Sequence, residues 1–336
     1  MGLKKFIESR KFKNSSTKYF VKELFYYYQP RFLARWCKPD LNAQLARMTE
    51  SERNEVMRRV NYYNKLEGTV ELHDTDDVKI HPIGHNKLGV NLNGHKKSGS
   101  RYVFDSNEYM RFFDQKLRAG FLFGDITTVP DTPTFVKSRP IAGNNANSVV
   151  LSLDKKRHFM FVKDTIPFKE KRDMLIGRAY VDQPHRYRFW EMYFNHPMCD
   201  LGNTKPNNPK HPEWFTKPCT ISHHLNFKFI LCIEGNDVAT NLKWVMSSNS
   251  LAVMPPPTYE TWFMEGTLIP DYHYVAIKPD YSDLEEKLNY YIQHPEKAEE
   301  IIQHAHDYIK PYRNNRLNKL ISLLVIDKYF EKTGQK

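Results

Sequence analysis

The stretch GNDVATNLKWVMSS, residues 235–248, combines the residue types that bind a phosphate group. It lies between the apolar runs KFILCI and SLAVMP, which predicts a strand, a turn, a short helix and a second strand. At the carboxyl end of a parallel strand, a helix N-terminus offers free N–H groups and the positive end of the helix dipole. Thr240 or Asn241 would cap this helix, and Lys243 would add a cation. The pattern predicts a phosphate site, and a β/α unit without a ligand is the alternative.

Three consecutive prolines, Pro255–Pro257, follow this unit. Proline fixes φ and has no N–H donor, so the prolines cannot continue a strand ladder. We expect a stiff exit from the strand that brings Tyr259, Trp262 and Glu265 to the same sheet edge.

Two further clusters have the composition of metal sites. The Asp-x-Asp of HDTDD, residues 73–77, would suit a divalent cation, but the helical and basic sequence before it predicts a turn between short strands. The four cysteines lie far apart with no C-x-x-C pair, which is typical of reduced thiols, and the histidines between Cys199 and Cys232 match no zinc spacing. We expect no bound metal and no cofactor.

The surrounding elements alternate between strands and helices. Residues 41–68 are predicted to be helical, with a restart near Thr49, and residues 107–117 form another helix. Strands are predicted in TVELHDTDDVKIH, LGVNL, RYVFD, FLF, SVVLSL, HFMFV, MLIGRAYV, KFILCI, SLAVMP and YVAI. Ser282 and Glu285 form a predicted capping box at the start of a helical C-terminal part. This order predicts an α/β fold with largely parallel sheets.

Length and composition favour two domains without a membrane span. The chain has 336 residues, more than one core of the usual size, and 26% of them are charged. Its mean hydropathy is −0.66, and no apolar run approaches the roughly 18 residues that cross a bilayer. The first residues carry charge without the apolar core of a secretory signal, so we expect a cytoplasmic protein.

The net charge of +11 is concentrated near the N-terminus, where residues 1–40 hold ten Lys or Arg and three Asp or Glu residues. Aromatic residues such as Phe20, Phe32 and Trp36 lie between these cations, which favours contact of residues 1–36 with an anionic membrane surface. The alternative is a first helix that packs on the core with a solvated basic face. Pro30 is predicted to break the helix. No nucleic-acid-binding motif is present, so we expect no nucleic-acid partner.

Several short motifs in order carry a resemblance to a known family. They are FGDITTVP, GRAYVDQPHRYRF, the stretch at 235–266, and His273-Tyr274-Val275 followed by Asp280 and Asp283-Leu284. In this order, residues 121–310 resemble glycosyltransferase family 90. KSRPI, LDKKRHF and YETWFMEG are similar to its bacterial lipopolysaccharide-modifying members, which are related to protein O-glucosyltransferases and fungal capsule xylosyltransferases.

The resemblance implies a GT-B architecture. In this α/β fold, two Rossmann-like domains face each other across a cleft, here with a helical N-terminal arm and C-terminal helices. The implied organisation is a basic aromatic arm at 1–40, an acceptor-side domain at 41–165, a nucleotide-sugar domain at 166–310, and a C-terminal helix at 311–336 that packs back on the N-terminal domain. The resemblance also implies inverting transfer from a UDP-sugar without a bound metal.

The resemblance assigns roles to individual residues. Asp125 would be the catalytic base, with Asp131 as the rival, and the alternative is that either carboxylate caps a turn. Lys137 and Arg139 would lie on the acceptor side. Where eukaryotic relatives carry an arginine, this chain has Asn241. The predicted donor-binding set is Arg178, Arg186, Arg188, Gly235, Asn236, Asp237, Val238, Ala239, Thr240, Asn241, Lys243, Ser250, Tyr259 and Glu265.

The predicted function is transfer of a hexose or pentose to a hydroxyl of a lipopolysaccharide or lipooligosaccharide core. The acceptor would be an anionic, lipid-linked saccharide, so the enzyme would associate peripherally with the inner face of the cytoplasmic membrane. Capsule polysaccharide or protein acceptors are the alternative within enzymes. The alternative outside enzymes is a non-catalytic polyanion-binding module on a degenerate GT-B fold.

Overall fold

The computed structural model of the protein describes residues 15–90, 92, 99–206 and 208–336. Residues 1–14 of the predicted arm lie outside this part. The described residues divide into two compact units. Unit 1 contains residues 157–257 and 265–310, and unit 2 contains residues 15–156, 258–264 and 311–336. The predicted domain boundaries at 40, 165 and 310 stay predictions.

Helices occur along the whole described chain. They are α1 (Ser16–Tyr28), α2 (Arg31–Trp36), α3 (Leu41–Ala46), α4 (Glu50–Tyr63), α5 (Ser100–Met110), α6 (Lys155–His158), α7 (Pro184–Tyr193), α8 (Ile221–His224), α9 (Leu242–Val245), α10 (Leu284–Gln293), α11 (Pro295–Arg313) and α12 (Asn315–Lys332).

The strands are short, and most of their residues are buried. They are β1 (His81–Pro82), β2 (Arg118–Leu122), β3 (Thr134–Val136), β4 (Ser138–Pro140), β5 (Ser148–Val150), β6 (Arg172–Ala179), β7 (Cys199–Asn203), β8 (Phe227–Leu231), β9 (Leu251–Met254), β10 (Tyr259–Thr261) and β11 (Val275–Ala276).

Unit 1 is built on a five-stranded sheet of order β11-β9-β8-β6-β7, in which every pair is parallel. Strands β8 and β9 are buried along their whole length, as expected for continuous apolar runs in a parallel sheet. From β6 the chain passes to β7 on one side and then returns to β8 on the other side. This is the strand order of an open, doubly wound α/β sheet.

Unit 2 has a sheet of order β1-β2-β3-β5, in which β2, β3 and β5 run parallel, and a separate antiparallel pair of β4 and β10. Aromatic side chains join its helices to these strands. The rings of Tyr63 on α4 and Trp262 stack at 3.9 Å, and Tyr329 on α12 lies 4.3 Å from the ring of Phe135. The Tyr329 hydroxyl also donates to Pro133 O at 2.8 Å.

The predicted mixed α/β fold with parallel sheets is confirmed, whereas the GT-B arrangement stays a prediction. Pro30 does interrupt the first helical segment, between α1 and α2. Thr49 starts α4 through a complete capping box with Glu52, as the predicted restart requires. Strands are also confirmed in the apolar runs that became β2, β5, β6, β8, β9 and β11.

The following local predictions were wrong. RYVFD lies in α5, because Val103, Phe104 and Tyr109 are buried with helical spacing. HFMFV forms no strand, nor do the described residues of LGVNL. Only His81 of TVELHDTDDVKIH lies in a strand. The predicted capping box of Ser282 and Glu285 is not formed, and Asp283 precedes α10 instead. The Asp283 side chain does not cap the helix, because its Oδ1 accepts from Lys278 N.

Candidate functional site

The topology of unit 1 predicts a ligand crevice at the carboxyl ends of β6 and β8. In an open α/β sheet, ligands bind where the chain order reverses, since the loops after the two strands diverge there. The reversal lies between β6 and β8. The loop after β6 leads into α7, and the loop after β8 is residues 232–241, which contain half of the predicted donor-binding set.

Arg186 on α7 is held against the loop after β8 by backbone carbonyls. Its Nε donates to Glu234 O at 2.8 Å, its Nη2 to Ile233 O at 3.1 Å, and its Nη1 to Tyr180 O at 2.8 Å. Within the described residues it forms no ion pair. Burial lowers the pKa of Arg186 to about 10. The crevice therefore contains a partly desolvated cation whose charge no carboxylate neutralises.

Gly235 allows this close approach. A Cβ at residue 235 would lie 3.2 Å from Arg186 Nη2, so a side chain here would push the guanidinium away. Two contacts fix the loop further: Gln183 Nε2 donates to Asn236 Oδ1 at 2.9 Å, and His185 Nε2 lies 2.8 Å from Glu234 O. The next three predicted donor-binding residues, Asp237, Val238 and Ala239, are buried.

The helix after this loop, α9, is a single turn of four residues. The predicted side-chain cap was wrong: Asn241 occupies the cap position in a helical conformation, and its Nδ2 donates to Leu231 O at 2.9 Å. Thr240 Oγ1 instead accepts from Arg157 Nη2 at 3.4 Å. Lys243 is fully buried and pairs with the buried Glu265. Donor binding by Lys243 and Glu265 stays a prediction.

The remaining members of the donor-binding set lie in different elements of the two units. Arg178, at the end of β6, donates to Asp200 Oδ1 and to Asp200 O, so its charge is already paired. Arg188 is exposed on α7. Ser250 is buried and donates to Phe227 O at 2.8 Å. Tyr259 belongs to unit 2, where it pairs with Pro140 in the β4–β10 ladder.

A carboxylate–ammonium pair lies at the carboxyl edge of the unit 2 sheet. Asp125 follows β2 and Lys137 follows β3, and the parallel pairing of these strands brings the two side chains together. Lys137 Nζ lies 2.6 Å from Asp125 Oδ1, with the Lys137 side chain buried and the Asp125 side chain 29% exposed. Gly124 precedes the carboxylate at φ 127°, a conformation that favours glycine. Asp125 is therefore a positioned and accessible carboxylate.

The other two predicted residues of unit 2 differ from this pair. Asp131 is exposed and forms no ion pair with the described residues. Arg139 is fully buried: its Nε donates to Glu260 Oε1 at 2.8 Å, Nη1 to Ser148 O at 3.0 Å and Nη2 to Tyr62 O at 2.6 Å. Acceptor contact by Arg139 stays a prediction, and in this structure the guanidinium joins β4, β10 and α4.

Sequence reasoning missed the residues that hold the crevice loops. Gln183, His185 and Arg157 contact residues 234–240. They stand in GRAYVDQPHRYRF and LDKKRHF, two stretches that carry the family resemblance, but no role was predicted for them. The position of Gln183 and His185 just after a predicted strand was the available signal. The Asp-x-Asp at 74–76 runs into a bend at 76–77, and of the strands predicted on either side of it only His81 lies in one. Asp74 Oδ1 accepts from Ile80 N at 2.9 Å, and Thr75 N donates to Val78 O at 2.8 Å.

The described part of the predicted arm has an unusual distribution of side chains. On α1, the buried face contains Glu23, whereas Val21, Phe25 and Tyr28 point to solvent. Phe32 and Trp36 on α2 are 70% and 85% exposed. Among the described residues, no helix is long and apolar enough to span a bilayer.

The chain is similar in sequence to members of a known enzyme family. The family model described as glycosyl transferase family 90 matches residues 188–319. The O-glucosyltransferase LpsA of Dichelobacter nodosus is 38% identical over 304 residues, which cover 90% of this chain and 90% of that protein. Uncharacterized protein 179R of Invertebrate iridescent virus 6 is 32% identical over 117 residues, 32% of this chain and 10% of that protein. The similarity to LpsA extends along nearly the whole chain, and this chain therefore belongs to glycosyltransferase family 90 and is a glycosyltransferase.

Proposed function

We propose that the protein transfers a glucosyl or another hexosyl or pentosyl group from a UDP-sugar to a hydroxyl of a lipopolysaccharide or lipooligosaccharide core. The name of the relative from Dichelobacter nodosus, O-glucosyltransferase LpsA, supports a glucosyl group and a hydroxyl acceptor. Family membership favours an enzyme over a non-catalytic polyanion-binding module. Capsule polysaccharide and protein acceptors stay the alternative.

The observation that carries this proposal is Arg186 at the reversal of the unit 1 sheet. A sugar–nucleotide donor leaves as a diphosphate, and the departing charge must be stabilised by cations or N–H dipoles. Arg186 supplies a cation that is held by three carbonyls and not by a carboxylate. A guanidinium of this kind binds phosphate oxygens through charge-assisted hydrogen bonds.

The proposed reaction is a single displacement with inversion. The acceptor hydroxyl oxygen forms a bond to the anomeric carbon while the bond from that carbon to the diphosphate oxygen breaks. Asp125 takes the hydroxyl proton as general base, and Lys137 Nζ at 2.6 Å positions its carboxylate. Arg186 and the amides of the loop at 235–240 receive the departing charge, so the proposal includes no metal. A GT-B arrangement of the two units is part of the same proposal.

We also propose that the enzyme works at the inner face of the cytoplasmic membrane. Its acceptor would be lipid-linked and anionic, and the chain carries a net charge of +11. The exposed aromatic residues of α1 and α2 support contact of residues 15–36 with such a surface, because aromatic rings partition to the headgroup region.

The donor assignment is tested with Arg186→Ala. We expect UDP to raise the melting temperature of the wild-type protein, since a ligand that binds only the native state stabilises it. In Arg186→Ala this shift should disappear, and kcat/KM for the UDP-sugar should fall about a hundredfold, or about 3 kcal/mol.

Arg172→Ala is the matched control, because Arg172 begins the same strand, β6, at its opposite end. It should keep both the UDP shift and the activity. A melting temperature that UDP leaves unchanged in the wild-type protein would remove the donor site from unit 1.

A further inference from the structure

Unit 2 contains a cavity of about 820 Å³ between α3, α4 and α12. None of its lining residues belongs to the crevice of unit 1 or to the Asp125–Lys137 pair. Apolar side chains, including Met48, Val56 and Leu320, form part of its wall. This volume is in the range that accommodates a small organic ligand.

A buried cation without a carboxylate partner lines this cavity. Arg59 on α4 is only 2% exposed. Its Nη2 donates to Tyr63 Oη at 3.0 Å and to Asn318 Oδ1 at 3.2 Å, but its Nε and Nη1 make no hydrogen bond with the described residues. The ring of Tyr312 lies 4.9 Å from its Cζ. Burying an unpaired charge costs several kcal/mol, so buried charges normally have a counter-ion.

Neither carboxylate of the cavity forms an ion pair with Arg59. Burial disfavours the charge of Arg59, but Tyr63, Tyr312 and, last in order, Glu55 raise its pKa. Glu55 is paired with Arg58, and Glu52 accepts from the backbone and hydroxyl of Thr49 in the capping box. Three more cations line the cavity, and within the described part of the chain none of them forms an ion pair: Arg47, Arg316 and Lys319. Burial and the like charge of Arg111 lower the pKa of Lys319.

We propose that this cavity binds a phosphate-bearing amphiphile. Arg316 and Lys319 contact the phosphate, Arg59 supplies the buried positive charge beneath it, and Met48, Val56 and Leu320 contact the apolar part. An anion neutralises the charge of Arg59, and the apolar wall explains why an amphiphile is preferred to a free anion. This site is separate from the donor crevice and does not rest on the proposed transfer reaction.

The test is isothermal titration of the full chain with two probes. One is phosphatidylglycerol with six-carbon acyl chains, below its micelle concentration, and the other is inorganic phosphate. The variant Arg316→Ala/Lys319→Ala removes two cations at partly or fully exposed positions, so it should fold, and Arg59 stays in place. The control Lys332→Ala/Lys336→Ala removes two cations at the far end of α12 and beyond it.

We expect the wild-type protein to bind the lipid at least about tenfold more tightly than inorganic phosphate, and the Arg316/Lys319 variant to bind the lipid at least about tenfold more weakly than wild type. The control should stay within about twofold of wild type, and UDP should raise the melting temperature of all three proteins equally. Absence of lipid binding, equal affinity for the two probes, or equal losses in the variant and the control would overturn the proposal.

Discussion

The cations of the predicted donor site differ in what neutralises them. Arg178 is paired with Asp200 and Lys243 with Glu265, so an anionic ligand would have to compete with a carboxylate for either one. Arg186 is bound only to carbonyl dipoles and keeps its full charge. In the sequence the three residues look alike. What distinguishes them is whether a carboxylate from another strand or loop pairs with each cation. The local sequence around each residue does not contain that information.

Asp125 is the residue on which the proposed chemistry depends. Asp125→Asn should lower kcat about a thousandfold, because an amide cannot accept the hydroxyl proton. The UDP-induced rise in melting temperature should remain, since Asp125 belongs to unit 2 and is not one of the predicted donor-binding residues. Both are measured on purified protein, by product formation and by thermal shift.

Asp131→Asn is the control for this substitution, because Asp131 is exposed and unpaired within the described residues. It should keep wild-type activity. Full transfer by Asp125→Asn would show that another group takes the proton.

Glu23 makes the stability of unit 2 depend on pH. Burial, and next the charge of Glu108, raise the pKa of the Glu23 carboxyl to about 7; Lys155 and Lys22 oppose this, and Asp105 adds to it. Because the pKa of Glu23 is higher in the folded state than in the unfolded state, the protonated carboxyl favours the fold. This contribution to stability is complete below pH 4.5 and is lost as the pH rises through 7. Glu23→Gln should therefore stabilise the protein at pH 8 by on the order of 2 kcal/mol and have little effect at pH 4.5.

Urea denaturation at the two pH values measures this difference. Glu55→Gln provides the comparison, because Glu55 is an exposed carboxylate on α4 whose ion pair is at the surface. It should change stability by less than about 1 kcal/mol at either pH. An effect of Glu23→Gln that is the same at pH 4.5 and pH 8 would contradict a raised pKa.

At the scale of elements, α1 carries apolar side chains on both of its faces. Its inner face contacts α5 partly through polar groups: Tyr19 Oη donates to Asp105 Oδ1 at 2.8 Å, and Lys22 Nζ lies 2.7 Å from Glu108. The rings of Phe20 and Tyr27 also pack against Phe104 of α5. Its outer face presents Val21, Phe25 and Tyr28. Water does not favour such a surface, whereas the interface of a bilayer does.

This arrangement predicts how the helices contribute to membrane association. Phe25→Ser/Phe32→Ser/Trp36→Ser should weaken binding to vesicles that contain phosphatidylglycerol by more than about a hundredfold, since each buried aromatic ring contributes about 2 kcal/mol. Co-sedimentation measures the bound fraction. Tyr180→Ser/Phe215→Ser/Tyr272→Ser removes three exposed aromatic rings of unit 1 and should leave binding unchanged. Equal binding by both triple variants would exclude α1 and α2 as the contact surface.

The accuracy of the sequence predictions varied with the type of element. The strands of unit 1 were predictable because β8 and β9 are continuous apolar runs bounded by turn residues. RYVFD was not, because two adjacent apolar residues, Val103 and Phe104, fit a strand as well as a helix over five positions. The sequence also could not predict that α9 is a single turn without a side-chain cap. The Asn241 side chain donates to Leu231 O at the end of β8, a contact that depends on the tertiary structure.

At the scale of the whole molecule, net charge governs the encounter with anionic partners. Raising the salt from about 0.1 M to about 1 M shortens the screening length from about 10 Å to about 3 Å. Because the chain carries a net charge of +11, association with phosphatidylglycerol vesicles should fall markedly over this range. The UDP-induced thermal shift should fall less, because Arg186 is partly buried. Vesicle binding that is independent of salt would mean that apolar contacts alone drive it.

The path of the chain between the units has a consequence for biosynthesis. The chain passes from unit 2 into unit 1 and back twice. Unit 1 takes residues 157–257, unit 2 takes 258–264, unit 1 takes 265–310, and unit 2 takes 311–336. All five strands of the unit 1 sheet therefore leave the ribosome before α12, whose Tyr329 and Phe330 are fully buried in unit 2. Unit 2 begins synthesis first and completes its core last, so its exposed apolar surface must wait through the translation of more than half of the chain. Slower elongation through residues 157–310 would prolong that exposure and favour aggregation of nascent chains.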